Sequence, residues 1–569
     1  MKSINMTVAG TEKLMRQKRE KNGNIGEGNN DVMCNIIGDY GKWQFWISVL
    51  MGLLKLSVAW FQLGIVFLAP PQDFWCKKPA AFANYSETEW ITMSKPNSST
   101  NHCFIHDPKI LVSGNYSSRD YIPSVRCTDF EYDLSTFSNT IVSEWNLVCS
   151  RQYYVEISQV TLMFGVLLGN VIFGVMADKF GRRKMLFIAI AMQTIAGFAS
   201  AFSPFVTAFL VLRFLLAMAS GGIAIVSFVV CMEVVGGVWR TIIPILYQVP
   251  FGVGNSMMAG LAYMLRDWRY LQIALSLLSS MYLIIFFVLP ESPRWLLATG
   301  QNEKAIALLE NIAIFNGQDS STIKNTINTH YAVQNQGENK KVTFKAVLQS
   351  KNLRFKTLIL SLEWFIGGLC FFAFSQHVGL VGKNIFLTVI AGGIIVIPGA
   401  LACVPAVQKF GCKVTIVASQ LLTAVCFLLI LTVPIGTYPQ DWPRVLFSGF
   451  GIFGLSVALP ALYLYTGEIY PTVVRNAGVG CTSMFSRLGS MISPFVIILH
   501  KFSPSSPFIL LSLLTFIQTI ILYPLPNTKG CPLPDTIKQA EDDRNTQHKS
   551  RKTIQLKTLQ NSNIVDIIE

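Results

Sequence analysis

Charge is what this chain has least of. Acidic and basic side chains make up 14% of its 569 residues while 51% are hydrophobic, and the mean hydropathy is +0.44. Soluble domains carry about 25% charged residues, so the chain reads as a polytopic membrane protein and a soluble fold is a poor alternative. Histidine is scarcer still: the six are dispersed, and neither they nor the cysteines fall at zinc-ligand spacing. There is no Walker loop and no nucleophile elbow. These absences argue against a metal centre, a nucleotide-hydrolysing motor and a serine hydrolase, and no cofactor is called for. No signal peptide is expected either, because Met1 to Gly41 is long, polar and lysine-rich where a short apolar core is needed.

What fills the chain instead is apolar runs. They stand at about 44–69, 153–176, 185–203, 205–230, 241–264, 269–289, 357–376, 385–408, 414–434, 443–466, 473–498 and 506–524, and about 20 residues suffice to span a bilayer. The expectation is an all-α membrane protein with twelve transmembrane helices. Its parts are an arm (1–42), a six-helix half (43–290) that includes a long loop (70–152), a central loop (291–356), a second six-helix half (357–524) and a tail (525–569). The 46 basic and 32 acidic side chains give +14, but the excess lies in termini and loops, as the positive-inside rule expects of cytosolic segments. Nucleic acid is therefore not an expected partner, and both termini are expected in the cytosol.

The loop at 70–152 differs from the other connections. It holds Cys76, Cys103, Cys127 and Cys149, which allow three pairings, and glycosylation acceptor patterns at Asn84, Asn97 and Asn115. Their clustering predicts an oxidising, extracellular location. The other eight cysteines, scattered in or near apolar runs without ligand spacing, read as packing residues.

An internal repeat sets the architecture. Glu233 and Arg240 recur as Glu468 and Arg475, each 235 residues on; Asp178-Lys179-Phe180-Gly181-Arg182-Arg183 recurs as Gln408-Lys409-Phe410-Gly411-Cys412-Lys413, 230 on; Leu289-Pro290-Glu291-Ser292 recurs as Leu525-Pro526-Asn527-Thr528, 236 on. Such spacing implies two parallel six-helix halves. The charged members lie at helix ends on one face, where carboxylate–arginine pairs can hold the halves together on the inner side and break when it opens. Helix-end anchoring is the simpler alternative.

Ala461 to Pro494 joins two of the runs and carries Arg487 amid small residues. An arginine at the centre of a spanning helix costs about 2.5–3.5 kcal/mol on insertion scales, so it is expected to face a watery cavity or a partner. Lys55, near the middle of the first run, poses the same question. Unit charges 4 Å apart at an effective dielectric of about 20 interact by about 4 kcal/mol, so two such cations would repel an organic cation and attract a carboxylate. Glu363 is the nearby acidic candidate, for a substrate ammonium, for a proton or sodium ion, or as a partner of Arg487. Trp364 and Phe371 are seven apart, on one helix face, with Phe372 and Phe374 beside them; Tyr463 and Tyr465 close the tenth helix, and Tyr247 and Gln248 begin the fifth. Arg213, early in the fourth run, reads as a structural or coupling residue.

Gly174-x-x-x-Asp178-Lys179-x-Gly181-Arg182-Arg183 resembles the signature between the second and third helices of the major facilitator superfamily. Pro290-Glu291-Ser292-Pro293-Arg294-Trp295-Leu296 resembles the motif shared by sugar porters and by the organic cation, anion and carnitine transporters. The cysteine-bearing loop, Ser143-Glu144-Trp145-Asn146-Leu147-Val148-Cys149 and Tyr465-Thr466-x-Glu468-x-Tyr470-Pro471-Thr472-x-x-Arg475 resemble the organic ion transporters and not the sugar porters. The resemblance implies plasma-membrane transport of small organic ions by alternating access.

Within that family the charge signals diverge. Ile245-Leu246-Tyr247-Gln248-Val249 and Trp268-Arg269-Tyr270-Leu271-Gln272 look most like the cation branch, and Leu54 to Trp60 resembles insect members bearing that name. Arg487 stands where cation transporters carry an aspartate, which is similar to anion and carnitine carriers, and Pro398-Gly399-Ala400 lacks the lysine that anion carriers show. The reading is a carrier of zwitterions, carnitine-like or amino-acid-like, or of organic anions, with an organic cation carrier as the alternative and a sugar porter-like carrier or a receptor as remote ones. Coupling to a proton, a sodium ion or a counter-substrate stays open, as does oligomeric state.

Overall fold

A computed structural model describes residues 37–95, 103–113, 123–319, 323–325, 327, 349–377, 384–434, 437–471, 474–499, 503 and 505–529. The main helices are α1 (Lys42–Leu63), α2 (Tyr153–Phe180), α3 (Arg182–Ala201), α4 (Val206–Val234), α5 in two pieces (Trp239–Leu246 and Val249–Leu265) and α6 (Trp268–Ser280, continued by turns to Val288). After the central loop come α7 (Lys351–His377), α8 (Ile385–Phe410), α9 (Cys412–Thr432), α10 (Trp442–Ile469), α11 (Arg475–Ile498) and α12 (Ser506–Ile521). Among the described residues, nine helices are long and apolar enough to cross a membrane. The other three expected positions are α5, α11 and α12, and each falls short for a visible reason. Pro244 and Pro250 interrupt α5, since a proline inside a helix has no N–H to give the preceding turn. The glycines, serines and Arg487 dilute α11, and α12 is 16 residues long.

The repeat seen in sequence is also a repeat of packing. In the first half α2 packs on α4, α3 on α4 and α6, and α1 on α5; in the second α8 packs on α10, α9 on α10 and α12, and α7 on α11. The halves meet through α2 on α11 and α5 on α8, contacts that exchange with one another when the halves are exchanged. Gly169 lies so close to α4 that an added Cβ would sit 2.0 Å from the Met218 carbonyl oxygen; 230 residues later Gly399 approaches Ser456 and Phe453 of α10 in the same way. Gly181 and Gly411, 230 apart, both have positive φ, +101° and +86°, where they turn the chain into α3 and α9.

The loop after α1 forms two small antiparallel sheets, β1 (Phe74–Cys76) with β4 (Phe130–Tyr132) and β2 (Phe104–His106) with β3 (Ser124–Arg126). Of the three pairings the cysteines allow, the structure has Cys76–Cys127 and Cys103–Cys149. The loop is pinned to the first half by Glu144, whose carboxylate pairs with Arg269 and accepts from Trp268 Nε1 at 2.7 Å. Asn84 is exposed there, while Asn97 and Asn115 lie outside the described residues.

In the central loop the helical patch expected near Glu303 to Asn311 is longer, Asn302–Asn316. It docks on the start of α1: the Asn316 Oδ1 accepts from the Trp43 backbone N–H at 3.0 Å, and its Nδ2 donates to Gln44 at 2.9 Å. Ile37 is buried with Leu296, Leu297 and Leu309 in the same apolar cluster.

Candidate functional site

Lys55 lies thirteen residues after the first residue of α1, about 20 Å along its axis, too deep for its side chain to reach that end. It is buried between the halves, with Nζ 4.9 Å from the ring centroid of Tyr247 and 5.9 Å from that of Phe251. Tyr247 is fixed in turn, since its hydroxyl and that of Ser227 share a hydrogen bond of 2.6 Å. It ends the first piece of α5, and half-buried Gln248 stands at the break.

Arg487 enters from the other half. It sits twelve residues into α11, with its guanidinium carbon 5.9 Å from the Phe372 ring. Close packing brings it there: a Cβ on Gly489 would lie 2.0 Å from the Phe365 carbonyl oxygen of α7, and one on Gly368 would lie 2.2 Å from that of Ser486. A chain of rings links the two cations across the halves: Lys55 lies over Phe251, Phe251 faces Phe371, Phe371 touches Phe372, and Phe372 lies under Arg487. Neither cation has a carboxylate partner among the described residues.

Aromatic rings of both halves form this chain and a second one. Phe228 of α4 stands between Tyr247 at 5.5 Å and Tyr463 of α10 at 4.9 Å, and Tyr463 meets Trp364 of α7 at 5.9 Å. Trp364 is held by donating from Nε1 to Thr466 Oγ1 at 3.1 Å. Phe251 of α5 faces Phe371 at 6.1 Å, and Phe371 touches Phe372 at 5.3 Å. Such an array can hold a flat apolar body between rings and an anionic group between two positive charges.

Glu363 does not belong to this group. The α7 face that meets α11 runs through Phe365, Gly368, Leu369 and Phe372, and Glu363 lies across the helix axis from it. Its carboxylate accepts from Gln420 of α9 at 3.1 Å, its backbone carbonyl accepts from Gln518 of α12, and it makes no ion pair with Arg487. Of the three roles offered for Glu363, pairing with Arg487 is not the arrangement seen; the residue packs against α9 and α12 instead. Tyr465 also turns away, donating to the Pro526 carbonyl at 2.6 Å, and Phe374 packs on Phe427.

The inner-face motifs are joined within each half. Arg182 pairs with Asp178 at 2.8 Å and Glu233 at 2.9 Å, and Glu291 accepts from the backbone N–H groups of Arg182 at 2.8 Å and Arg183 at 3.2 Å, capping α3. Gly181 packs against that same Glu291 carboxylate. Arg294 donates to the Glu233 carbonyl, and Arg240 to the Val235 carbonyl. In the second half Glu468 accepts from Thr528, and Arg475 donates to the Tyr470 carbonyl. Arg183 donates to the Phe286 carbonyl, and its counterpart Lys413 to those of Tyr523 and Leu525. These bonds tie helix ends together within each half.

Sequence reasoning passed over Phe228, Phe251 and Phe386. Phe386, at the start of α8, stacks on Phe67 at 5.6 Å and meets Phe137 at 5.3 Å and Tyr263 at 5.4 Å, closing the halves on the face of the disulfide loop. Nothing in the spacing of these rings marks them out, because phenylalanine is common throughout the apolar runs.

Residues 128–537 match the family model described as "Sugar (and other) transporter". The chain belongs to this family. It is a transporter and not an enzyme. It is 29% identical to the organic cation transporter protein of Drosophila melanogaster over 90% of this chain and 95% of that one. To solute carrier family 22 member 3 of Mus musculus it is 30% identical, over 89% and 94%. To organic anion transporter 3 of Oryctolagus cuniculus it is 29% identical, over 89% and 92%. Among solved structures, the xylose transporter XylE from E. coli in a partially occluded inward open conformation superposes with a TM-score of 0.58 at 16% identity, covering 86% of this chain and 100% of that one. The fold is that of the major facilitator superfamily.

Proposed function

We propose that this protein is a secondary transporter of small organic ions across the plasma membrane, working by alternating access and favouring organic anions or zwitterions. The observation that carries the charge preference is that Lys55 and Arg487 stand at the two ends of one run of rings, Phe251, Phe371 and Phe372, with no carboxylate paired to either among the described residues. Trp364, Phe371, Tyr247 and Tyr463 would hold the substrate's apolar body, with Gln248 at the α5 break as a polar contact. A carnitine-like or amino-acid-like zwitterion places its carboxylate on the cations and its ammonium against ring faces. The two disulfides and exposed Asn84 support an extracellular loop, and a cytosolic side for the motifs of Asp178 and Glu468 and for both termini is the reading consistent with it. Movement draws on the solute's own gradient, a proton, a sodium ion or a counter-substrate.

The runner-up is an organic cation transporter, favoured by the same ring wall and by the names of relatives. Uptake of matched anionic, zwitterionic and cationic probes into cells separates the two. The charge swap Arg487→Asp is expected to cut anion uptake about ten- to a hundredfold, the worth of about 1.5–3 kcal/mol for a hydrogen bond to a charged group, and to raise cation uptake relative to it. An unchanged order of preference at normal surface expression rejects the assignment.

A further inference from the structure

The first half contains a further buried cation that neither the transport site nor the helix-end motifs use. Arg213, seven residues into α4, is 4% exposed, and its Nε and Nη2 have no hydrogen-bond partner. Its guanidinium faces a recess between α1, α3, α4 and α6, with room for roughly one water-sized particle. No carboxylate pairs with it among the described residues. Trp60 lines the same recess, and its indole N–H is likewise unpartnered. The Ser200 hydroxyl and Gln272 amide donate away, both to the Gly197 carbonyl. Much of the rest of the wall is apolar, including Phe61, Phe209, Leu216 and Leu271.

We propose that this recess is a binding site for a small monovalent inorganic anion. A buried charge without a counter-charge costs several kcal/mol, and the free groups here are N–H donors, so a bound anion relieves the cost that a neutral water leaves. Room for roughly one water-sized particle suits a monatomic ion better than an organic carboxylate, so the proposed occupant is a halide. The ion would be structural, cross-bracing α1 against α4 at a place separate from the space of Lys55 and Arg487.

The test is thermal unfolding of the purified full-length protein in chloride, bromide or gluconate as sodium salts at constant ionic strength. A saturable rise in midpoint with the halides and none with gluconate is expected, because a ligand of the native state stabilises it by mass action. The rise should vanish in Arg213→Gln, persist in Arg487→Gln, and need several-fold more chloride in Trp60→Phe. No halide-specific rise in the parent, an equal rise in Arg213→Gln, or loss of the rise in Arg487→Gln overturns the site. If Arg213→Gln does not fold, Trp60→Phe decides, and an unchanged half-saturating chloride concentration counts against the proposal.

Discussion

Replacing Phe386 by alanine should bias the transporter towards opening on the disulfide-loop side. The Phe386 ring is buried, and its three ring neighbours, Phe67, Phe137 and Tyr263, all belong to the other half or its loop. Those contacts exist only while the halves are together on that face. Ring pairs contribute about 0.5–1.5 kcal/mol each beyond the area they bury, so their sum is about 1.5–4.5 kcal/mol. At about 1.4 kcal/mol per tenfold, the outward-open population should rise between roughly ten- and a thousandfold. The assay introduces a cysteine at Ser256, seven residues deeper on α5 than Tyr263, and measures its labelling by a membrane-impermeant maleimide on intact cells. Phe386→Ala should speed labelling at least tenfold, and Phe386→Tyr, which keeps the ring, should not. Equal rates in parent and Phe386→Ala would refute the gate.

Further outcomes follow from close packing and charge. Gly489→Val should abolish assembly of the second half, because even a Cβ meets the Phe365 carbonyl at 2.0 Å; fluorescence-detected size exclusion would show aggregate in place of monodisperse protein. Burial pushes the Glu144 carboxyl up, but hydrogen bonds from Arg269, Trp268 and Asn139, with the Arg269 charge, outweigh it and hold the group below the usual carboxylate range. A depressed folded value means the loop's docking is intact above the ordinary glutamate value of about 4.3 and is lost as pH falls through the lower folded one. Hydrogen exchange at residues 139–147 should therefore stay slow down to about pH 4, and Glu144→Gln should speed it at neutral pH. Reducing Cys76–Cys127 and Cys103–Cys149, which close 51 and 46 residues, should cost about 2–4 kcal/mol each, seen as a lower unfolding midpoint under reductant.

Hydropathy placed the starts of the main helices within six residues of where they lie, the largest difference being the start of α7 at Lys351, because a run long enough to span lipid leaves little freedom. The internal offsets revealed the two halves for the same reason that Gly169 and Gly399 match: each half solves one packing problem with the same close approaches. Arg487 and Lys55 were legible because a charge inside an apolar run demands an explanation. Glu363 was legible as unusual but not in its direction; which side of a helix a residue faces depends on neighbours distant in sequence, here Gln420 and Gln518. The contact of Glu144 with Arg269 was hidden likewise, although both residues stand in the quoted motifs, because 125 residues separate them.

The docking of Asn302–Asn316 against Trp43 and Gln44 makes that helix a passenger of the first six-helix bundle. Its outward side chains, Ile314 and Phe315, offer a handle for an antibody fragment or a fluorophore. A second label near Lys409, at the end of α8, would ride with the opposite bundle. The separation between the two labels would then read the rocking of the carrier directly, cycle by cycle, without touching the route its cargo takes.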